Sequence, residues 1–337
     1  MPSPAPGHPF EPPPPMKIAV LHPSYADSLS ANIEVDVPLE DFSRLLPEHE
    51  VTELFLDKAT CVAVTRETKA DVFINCCDGA MDEDTPGIEI VELLEQENRA
   101  FTGAGSAFYD PTRAQMKEAC QRHGLGTPAF AFAWDEEGID DAFERLRLPC
   151  IVKPHHGHGS DGIEPGSRVL TEQAFREQAR KIIATFGGAL IEEFIAGREL
   201  TVLIASNPAD ENDPILYRPV ECIFDSPEEF KTFDYKWRGT KNPWIRCEDD
   251  ALSEALQAMT RTLYLALGGT GYARTDIRMD AEGRLYLLEI NPNCAIFYPD
   301  DNGGTADIIL AYDGKQKIPF LHRMIDYAFV RQKKRRG

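Results

Sequence analysis

Arg274, Asp276 and Arg278 alternate along the run Tyr272 to Met279, and Glu289 and Asn291 close a second run, Arg284-Leu-Tyr-Leu-Leu-Glu289-Ile-Asn291. Asp280-Ala-Glu-Gly283 between them is turn chemistry, so the pair reads as a β-hairpin. Alternation puts the two arginines and Asp276 on one face of the first strand. Unbroken alternation in the second strand puts Glu289 and Asn291 on a face with Leu285 and Leu287. A turn at Asp280–Gly283 then sets Arg274 opposite Glu289, with Asp276 on the diagonal at about 7–8 Å, within reach of long side chains. Two carboxylates and an amide oxygen beside an arginine are hard ligands of the kind Mg²⁺ takes, with positions left for phosphate oxygens. The alternative is a solvated charged hairpin, which fits poorly with a glutamate set inside Leu-Leu-Glu-Ile-Asn.

Two further stretches carry charge where an apolar pattern would lead. Lys153 ends the run Leu148-Pro-Cys-Ile-Val-Lys153, just before His155-His-Gly-His-Gly-Ser160-Asp-Gly162. A lysine beside glycines offers an anion a fixed cation and open backbone N–H groups. A hairpin tip whose lysine head reaches solvent is the alternative. The loop is neither a Walker A sequence nor a G-x-G-x-x-G. His155, His156 and His158 have no carboxylate or cysteine at ligand spacing, so solvent-facing or substrate-facing roles are expected of them. Leu190-Ile-Glu192-Glu193-Phe194-Ile195 sets paired acids in an apolar strand, and buried carboxylates need donors. A nucleotide offers an adenine amino group and ribose hydroxyls, suited to Glu192 and Glu199. Pairing of Glu193 and Glu199 with surface lysines is the alternative.

The elements that position these residues follow from pattern. The 337 residues allow two or three domains, and 35 basic against 56 acidic side chains give a net charge of −21. That charge disfavours nucleic acid and anionic membrane as partners. Eight cysteines without a C-x-x-C pair read as reduced core residues of a cytoplasmic protein with no zinc site. No apolar run reaches membrane-spanning length, and no secretory signal opens the chain. Residues 1–15 are a proline-rich, disordered extension, and the basic stretch 331–337 reads as a solvated tail. From Met16, short strands at 17–21, 51–55 and 71–75 alternate with helices, one beginning at Pro38 and one capped by Thr85-Pro86, as in a small doubly wound sheet. Strands at 129–134, 148–153 and 167–170 precede a helix from Thr171 to Gly187 and strands at 189–195, 199–205 and 217–224. A polar and aromatic loop from Asp225 to Arg246 leads into a helix over 252–267. After the hairpin the chain reads as a loop, then a helix over 319–330.

In this order the motifs resemble the ATP-grasp superfamily, with the closest similarity to D-alanine–D-alanine ligases, from about Met16 to Asn293. The resemblance implies an α/β chain, α+β in the ATP-grasp part. A Rossmann-like pre-ATP-grasp domain (16–108) would precede a central ATP-grasp subdomain with the Gly-rich loop (109–188) and a C-terminal subdomain with the metal and catalytic site (189–330). It implies that Lys117 and Lys153 contact ATP phosphates and that Glu192 accepts the adenine amino group. Glu193 would belong to the same cofactor-binding set, Ile195 would meet the ring through its backbone, and Glu199 would hold the ribose. Ser160 would sit in the loop closing over the γ-phosphate, and Lys236, in Phe233-Asp-Tyr-Lys236-Trp, would be the lysine of a catalytic loop. Asp276, Glu289 and Asn291 would bind Mg²⁺, and Arg274 would stabilise the acyl-phosphate and tetrahedral species.

The substrate half departs from the family pattern. Ala31-Asn32-Ile33-Glu34-Val35-Asp36 has Asn32 where the family has a glutamate, and Pro292-Asn-Cys-Ala-Ile-Phe-Tyr-Pro-Asp300-Asp301 replaces a Ser-Pro-Gly-Met-Thr motif. Asp300 and Asp301 would repel a carboxylate and suit a cationic amine. The expectation is an ATP-dependent carboxylate–amine ligase with ATP and Mg²⁺ as cofactors and small amino-acid or amine substrates. D-alanine is not the default substrate, and a homodimer is the association the resemblance allows. A non-catalytic ATP-binding module and a phosphotransferase are the other readings.

Overall fold

An almost unbroken apolar run suits a strand covered on both faces. β1 (Lys17–Pro23) accordingly lies in the middle of a three-stranded parallel sheet. The computed structural model describes residues 15–24, 39–79, 84–157, 160–233, 243–300, 303–314 and 316–336. α1 (Phe42–Leu45) is one turn capped by Asp41; β2 (Glu50–Leu56), α2 (Cys61–Glu67), β3 (Val72–Asn75) and α3 (Ile88–Gln96) follow. Ala19 and Leu21 pack on Cys61, Ile90, Val91 and Leu94 of the two local helices. Ile18 and Val20 face the other way, toward chain from the far C-terminus. Gly87, not Thr85, holds the cap position of α3, and the Thr85 carbonyl accepts from Lys58 Nζ at 2.9 Å.

α4 (Arg113–Arg122) starts in a capping box of Thr112 and Gln115. A four-stranded antiparallel sheet comes next, built from β4 (Phe130–Ala133), β5 (Cys150–Pro154), β6 (Arg168–Val169) and β7 (Ala189–Glu193) in the order β4-β7-β5-β6. α5 (Glu136–Arg145) and α6 (Glu172–Phe186) cover the face bearing Ala131, Ala133, Val152 and Ile191. Thr171 caps α6, and Gly187 ends it at φ 78°, a conformation that glycine adopts without a Cβ clash. The other face presents Phe130, Lys153 and Glu192.

The third sheet holds β8 (Arg198–Ala205), β9 (Ile215–Leu216), β10 (Val220–Cys222), β11 (Trp244–Arg246), β12 (Tyr272–Met279) and β13 (Leu285–Pro292). Its order is β11-β10-β8-β12-β13, with β9 on β8. α7 (Asp250–Ala266) covers one face together with Met116, Ala119 and Cys120 of α4. Trp244–Arg246, expected as loop, is thus an edge strand. α8 (Thr305–Tyr312) lies where the pattern after the hairpin gave loop.

α9 (Lys317–Arg336) corrects the expected solvated tail, because residues 331–336 continue the helix. Phe320, Leu321, Met324, Ile325 and Ala328 fill the open face of the first sheet against Ile18, Val20, Val72 and Ile74. Arg331 is buried; its Nη1 donates to the Gly103 carbonyl at 2.9 Å and its Nη2 to the Phe101 carbonyl at 2.6 Å.

Candidate active site

The hairpin's register differs from the simple count. Asp276 lies opposite Glu289 and Arg274 opposite Asn291, whereas Ile277 pairs with Leu287. Leu288 is the extra residue of a β-bulge, which turns the strand and reverses which side chains point inward. Leu287 and Ile290 therefore both enter the core, and Glu289 and Asn291 stand on the face opposite Leu285 and Leu287. That places Arg274, Asp276, Glu289 and Asn291 together on the open face of the sheet.

Hydrogen bonds fix this group. Asp276 is buried and accepts from Thr201 Oγ1 at 2.8 Å, Arg274 Nη2 at 2.9 Å and Asn291 Nδ2 at 3.3 Å. Burial pushes its carboxyl up, but Arg274 and Lys231 overcome that and hold it at about 2. Glu289 has no hydrogen-bond partner among the described residues. Burial raises it too, and Arg113 and Lys153 bring it below the ordinary range. Arg274 itself is held above its ordinary value by Asp276 against the effect of burial.

Across from this shelf, the open face of the central sheet carries a buried ion triad. Glu192 is 1% exposed; its Oε1 meets Lys117 Nζ and its Oε2 meets Lys153 Nζ at 2.6 Å. Desolvation alone would raise Glu192, and the two ammonium groups bring it down to about 2. Glu193 points away, since alternation turns it to the opposite face, where it accepts from the Arg147 backbone N–H at 3.0 Å. It does not join the group. The Ile195 carbonyl accepts from Arg278 Nη1 at 2.7 Å. Glu199 is clasped by Lys231 at 2.7 Å and Arg278 at 3.3 Å, and Arg278 also reaches the Glu229 carbonyl. Ser160 has φ 66°, and its carbonyl accepts from the Ile163 N–H at 3.0 Å. The Phe233 N–H donates to the Ile163 carbonyl at 2.9 Å, so the Asp225–Arg246 segment touches the glycine loop. Lys236, His158, Asn32 and Asp301 lie outside the described residues. Asp300, its side chain exposed, pairs with Lys317 Nζ at 3.2 Å.

Sequence reading missed two cations here, Arg113 and Lys231, and gave Arg278 a face of the hairpin but no role. Arg113 is buried and donates to the carbonyls of Pro154, His156 and Gly157, holding the glycine loop, while its Nε has no partner among the described residues. The Thr112-x-x-Gln115 cap was its visible signal, because it puts Arg113 in the first turn, one turn before Lys117. Lys231 gave none beyond its charge, whereas strand alternation alone puts Arg278 on the face of Arg274 and Asp276.

These pairs make an acid-stability prediction. Asp276 and Glu192 sit at about 2 in the folded chain, below the roughly 4 of unfolded carboxylates. Their contribution is complete above about pH 5 and is lost as pH falls from about 4 toward 2. The urea midpoint is expected to drop over that window, less steeply in Glu192→Gln; equal slopes would remove the triad as the cause.

Residues 122–296 match the family model described as D-ala D-ala ligase C-terminus. A D-alanine–D-alanine ligase of Cupriavidus metallidurans is 30% identical over 205 residues, 59% of this chain and 60% of that protein. One of Carboxydothermus hydrogenoformans is 27% identical over 291 residues, 82% and 88% of the two chains. The chain thus spans about 60% of the length of the curated relatives it matches at about 30% identity. The structure of D-alanine–D-alanine ligase from Bacillus anthracis complexed with ATP has a TM-score of 0.70 at 18% identity, over 96% of this chain and 99% of that one. A D-Ala:D-Ser ligase from Enterococcus faecalis gives 0.70 at 16%, over 93% and 99%. At such identities the likeness establishes the fold, a mixed helix and sheet architecture of the ATP-grasp type.

Proposed function

The chain belongs to the D-Ala–D-Ala ligase C-terminal domain family, and from that membership we propose that it is an ATP-dependent carboxylate–amine ligase working through an acyl phosphate. The observation that carries the reading is the set Arg274, Asp276, Glu289 and Asn291 on one face of a bulged strand pair, with Arg113 and Lys153 acting on Glu289 from the opposite wall. A nucleotide-binding module has no need of an arginine beside the metal ligands.

The donor set fits Mg²⁺: two carboxylates held ionised, an amide, and a Glu289 with no competing hydrogen bond among the described residues. Bound by Asp276, Glu289 and Asn291, Mg²⁺ would offset charge on phosphate oxygens. The chain's own residues do the rest. Arg113 and Lys153 face the phosphates from the glycine loop side and favour charge as the γ-phosphoryl passes to the substrate carboxylate. Glu192 and Glu199 hold the base and ribose ends. Arg274 stands where the carbonyl oxygen gains charge when the amine attacks and phosphate leaves. The glycine loop and the Asp225–Arg246 segment exclude water, which would otherwise hydrolyse the acyl phosphate.

The substrates are amino acids or amines with D-alanine not the default, in keeping with the replaced motif past Pro292. A family neighbour in structure is a D-Ala:D-Ser ligase, so the fold accommodates another acceptor. Lys317 and Asp307 shape that region here: Asp307 accepts from the N–H groups of Phe297, Tyr298 and Gly304 at 2.8, 3.2 and 3.0 Å. No helix among the described residues is long and apolar enough to cross a membrane. A cytoplasmic homodimer acting on small molecules completes the proposal.

Incubation with ATP, Mg²⁺ and pools of amino acids and amines is expected to release phosphate only with certain pools, each with a coupled amide product. Release without a product would favour phosphotransfer. No release with any pool would remove the ligase reading.

A further inference from the structure

Lys231 is a cation of the cleft that the proposed reaction leaves without a task. It lies in the Asp225–Arg246 segment, whose residues 227–233 are tied to both walls of the cleft. The Pro227 carbonyl accepts at 2.8 Å from the N–H of Gly197, in the turn from β7 to β8. The Glu229 carbonyl accepts from Arg278 Nη2, and the Phe230 ring meets that of Phe194 edge-on at 5.8 Å. At the far end the Phe233 N–H donates at 2.9 Å to the Ile163 carbonyl, next to the glycine loop. Between these ties Lys231 Nζ reaches Glu199 Oε1 at 2.7 Å and stands 4.6 Å over the ring of Trp244.

A lysine on a surface glutamate adds almost nothing. Here the Glu199 side chain is 6% exposed and that of Lys231 19%, so the pair is shielded. Burial pushes the Lys231 pKa down, but Glu199 and then Asp276 more than offset this and hold it above the ordinary lysine value. The other ties end on backbone groups or a ring, whereas Lys231 ends on the carboxylate that holds the ribose in the reading above. A carboxylate oxygen accepts from more than one direction. Lys231 sits on Oε1 and Arg278 on Oε2, so a ribose hydroxyl can still add to Oε1 without displacing the lysine.

We infer that Lys231 is a positioning residue that latches residues 227–233 onto the ribose carboxylate, so that a bound nucleotide leaves only when the latch opens. This rests on the nucleotide reading of the site. One contact then links the segment that excludes water to the end of the cleft where no phosphate is transferred.

The test uses the full chain. Lys231→Met keeps an unbranched apolar side chain and removes the charge. In the nucleotide-free protein, amide hydrogen exchange of residues 227–233 is expected to speed up about tenfold in this variant, with α7 unchanged. Exchange at the wild-type rate overturns the proposal. Glu199→Gln is expected to release the segment to the same extent and the double variant no further, because both changes open one contact; additive effects overturn it. Surface plasmon resonance on the immobilised chain, with ATP and Mg²⁺ in the flow, reads the two rates of binding. Lys231→Met is expected to dissociate about tenfold faster with association within about twofold of wild type. Faster association with unchanged dissociation would make Lys231 a barrier at the entrance, and that result overturns the latch. A wild-type chain that binds no adenine nucleotide overturns the nucleotide reading together with this inference. Unchanged dissociation in a chain that does bind ATP overturns the inference alone.

Discussion

Asp276→Asn is expected to lower ATP consumption by about 10²- to 10⁴-fold, the equivalent of the several kcal/mol a metal ion contributes to phosphoryl transfer. Asparagine keeps the shape of the side chain and an oxygen to accept from Thr201 and Arg274, so the change is one of charge. Asp276→Ala should lose activity equally and lose stability as well. It leaves Arg274, a guanidinium 14% exposed, without its carboxylate, and because the pair is not fully buried the cost falls below the about 3–5 kcal/mol of stranding one partner of a buried pair. A coupled assay of ADP formation, with urea unfolding alongside, separates the two effects. Turnover of Asp276→Asn above a tenth of wild type would remove this carboxylate from the metal set. Glu289→Gln is expected to match Asp276→Asn in activity with little change in stability, because Glu289 makes no hydrogen bond among the described residues.

Arg331→Ala is expected to destabilise the fold by about 3–5 kcal/mol. The guanidinium satisfies two buried carbonyls, Phe101 and Gly103, and leaving such groups unpaired costs about 1–3 kcal/mol each. It also lies 3.9 Å over the Phe101 ring, a further contribution of about 1–2 kcal/mol where water is excluded. Burial lowers its pKa to about 10, so it stays charged at neutral pH. Against a total stability of about 5–15 kcal/mol this is a large share. Ending the chain at Val330 should reproduce the loss, and Lys333→Ala, exposed on the same helix, should stay within about 0.5 kcal/mol. Equal urea midpoints for wild type and Arg331→Ala would show that the last turns of α9 are the solvated tail their composition resembles.

Much of the site was legible because its signals are local. Two-residue alternation around Arg274 and Asp276, a glycine loop after Lys153, and paired acids in an apolar strand each need only a few neighbouring residues. Glu192 and Glu193 mark the limit of such reading. They are adjacent and alike, and only the pleat decides that one meets two lysines while the other turns to Arg147. The bulge at Leu288 was invisible for a related reason: nothing in Leu-Leu-Glu-Ile-Asn says which residue will be left unpaired. That one residue decides whether Glu289 faces Leu287's side or the cleft.

By itself, then, the sequence determined most of the element types up to the hairpin, the acid and base set of the hairpin and the order of motifs, since these follow from short-range periodicity and turn chemistry. Tertiary structure alone decided the rest. It placed Arg113 at the glycine loop, and it sent Arg331 back 228 residues to Gly103. It also covered the first sheet with a helix from the far end of the chain. Partners so distant carry no spacing signal. What selects them is the cost of leaving a buried cation, a carbonyl or an apolar sheet face without cover, and that cost exists only once the chain has folded.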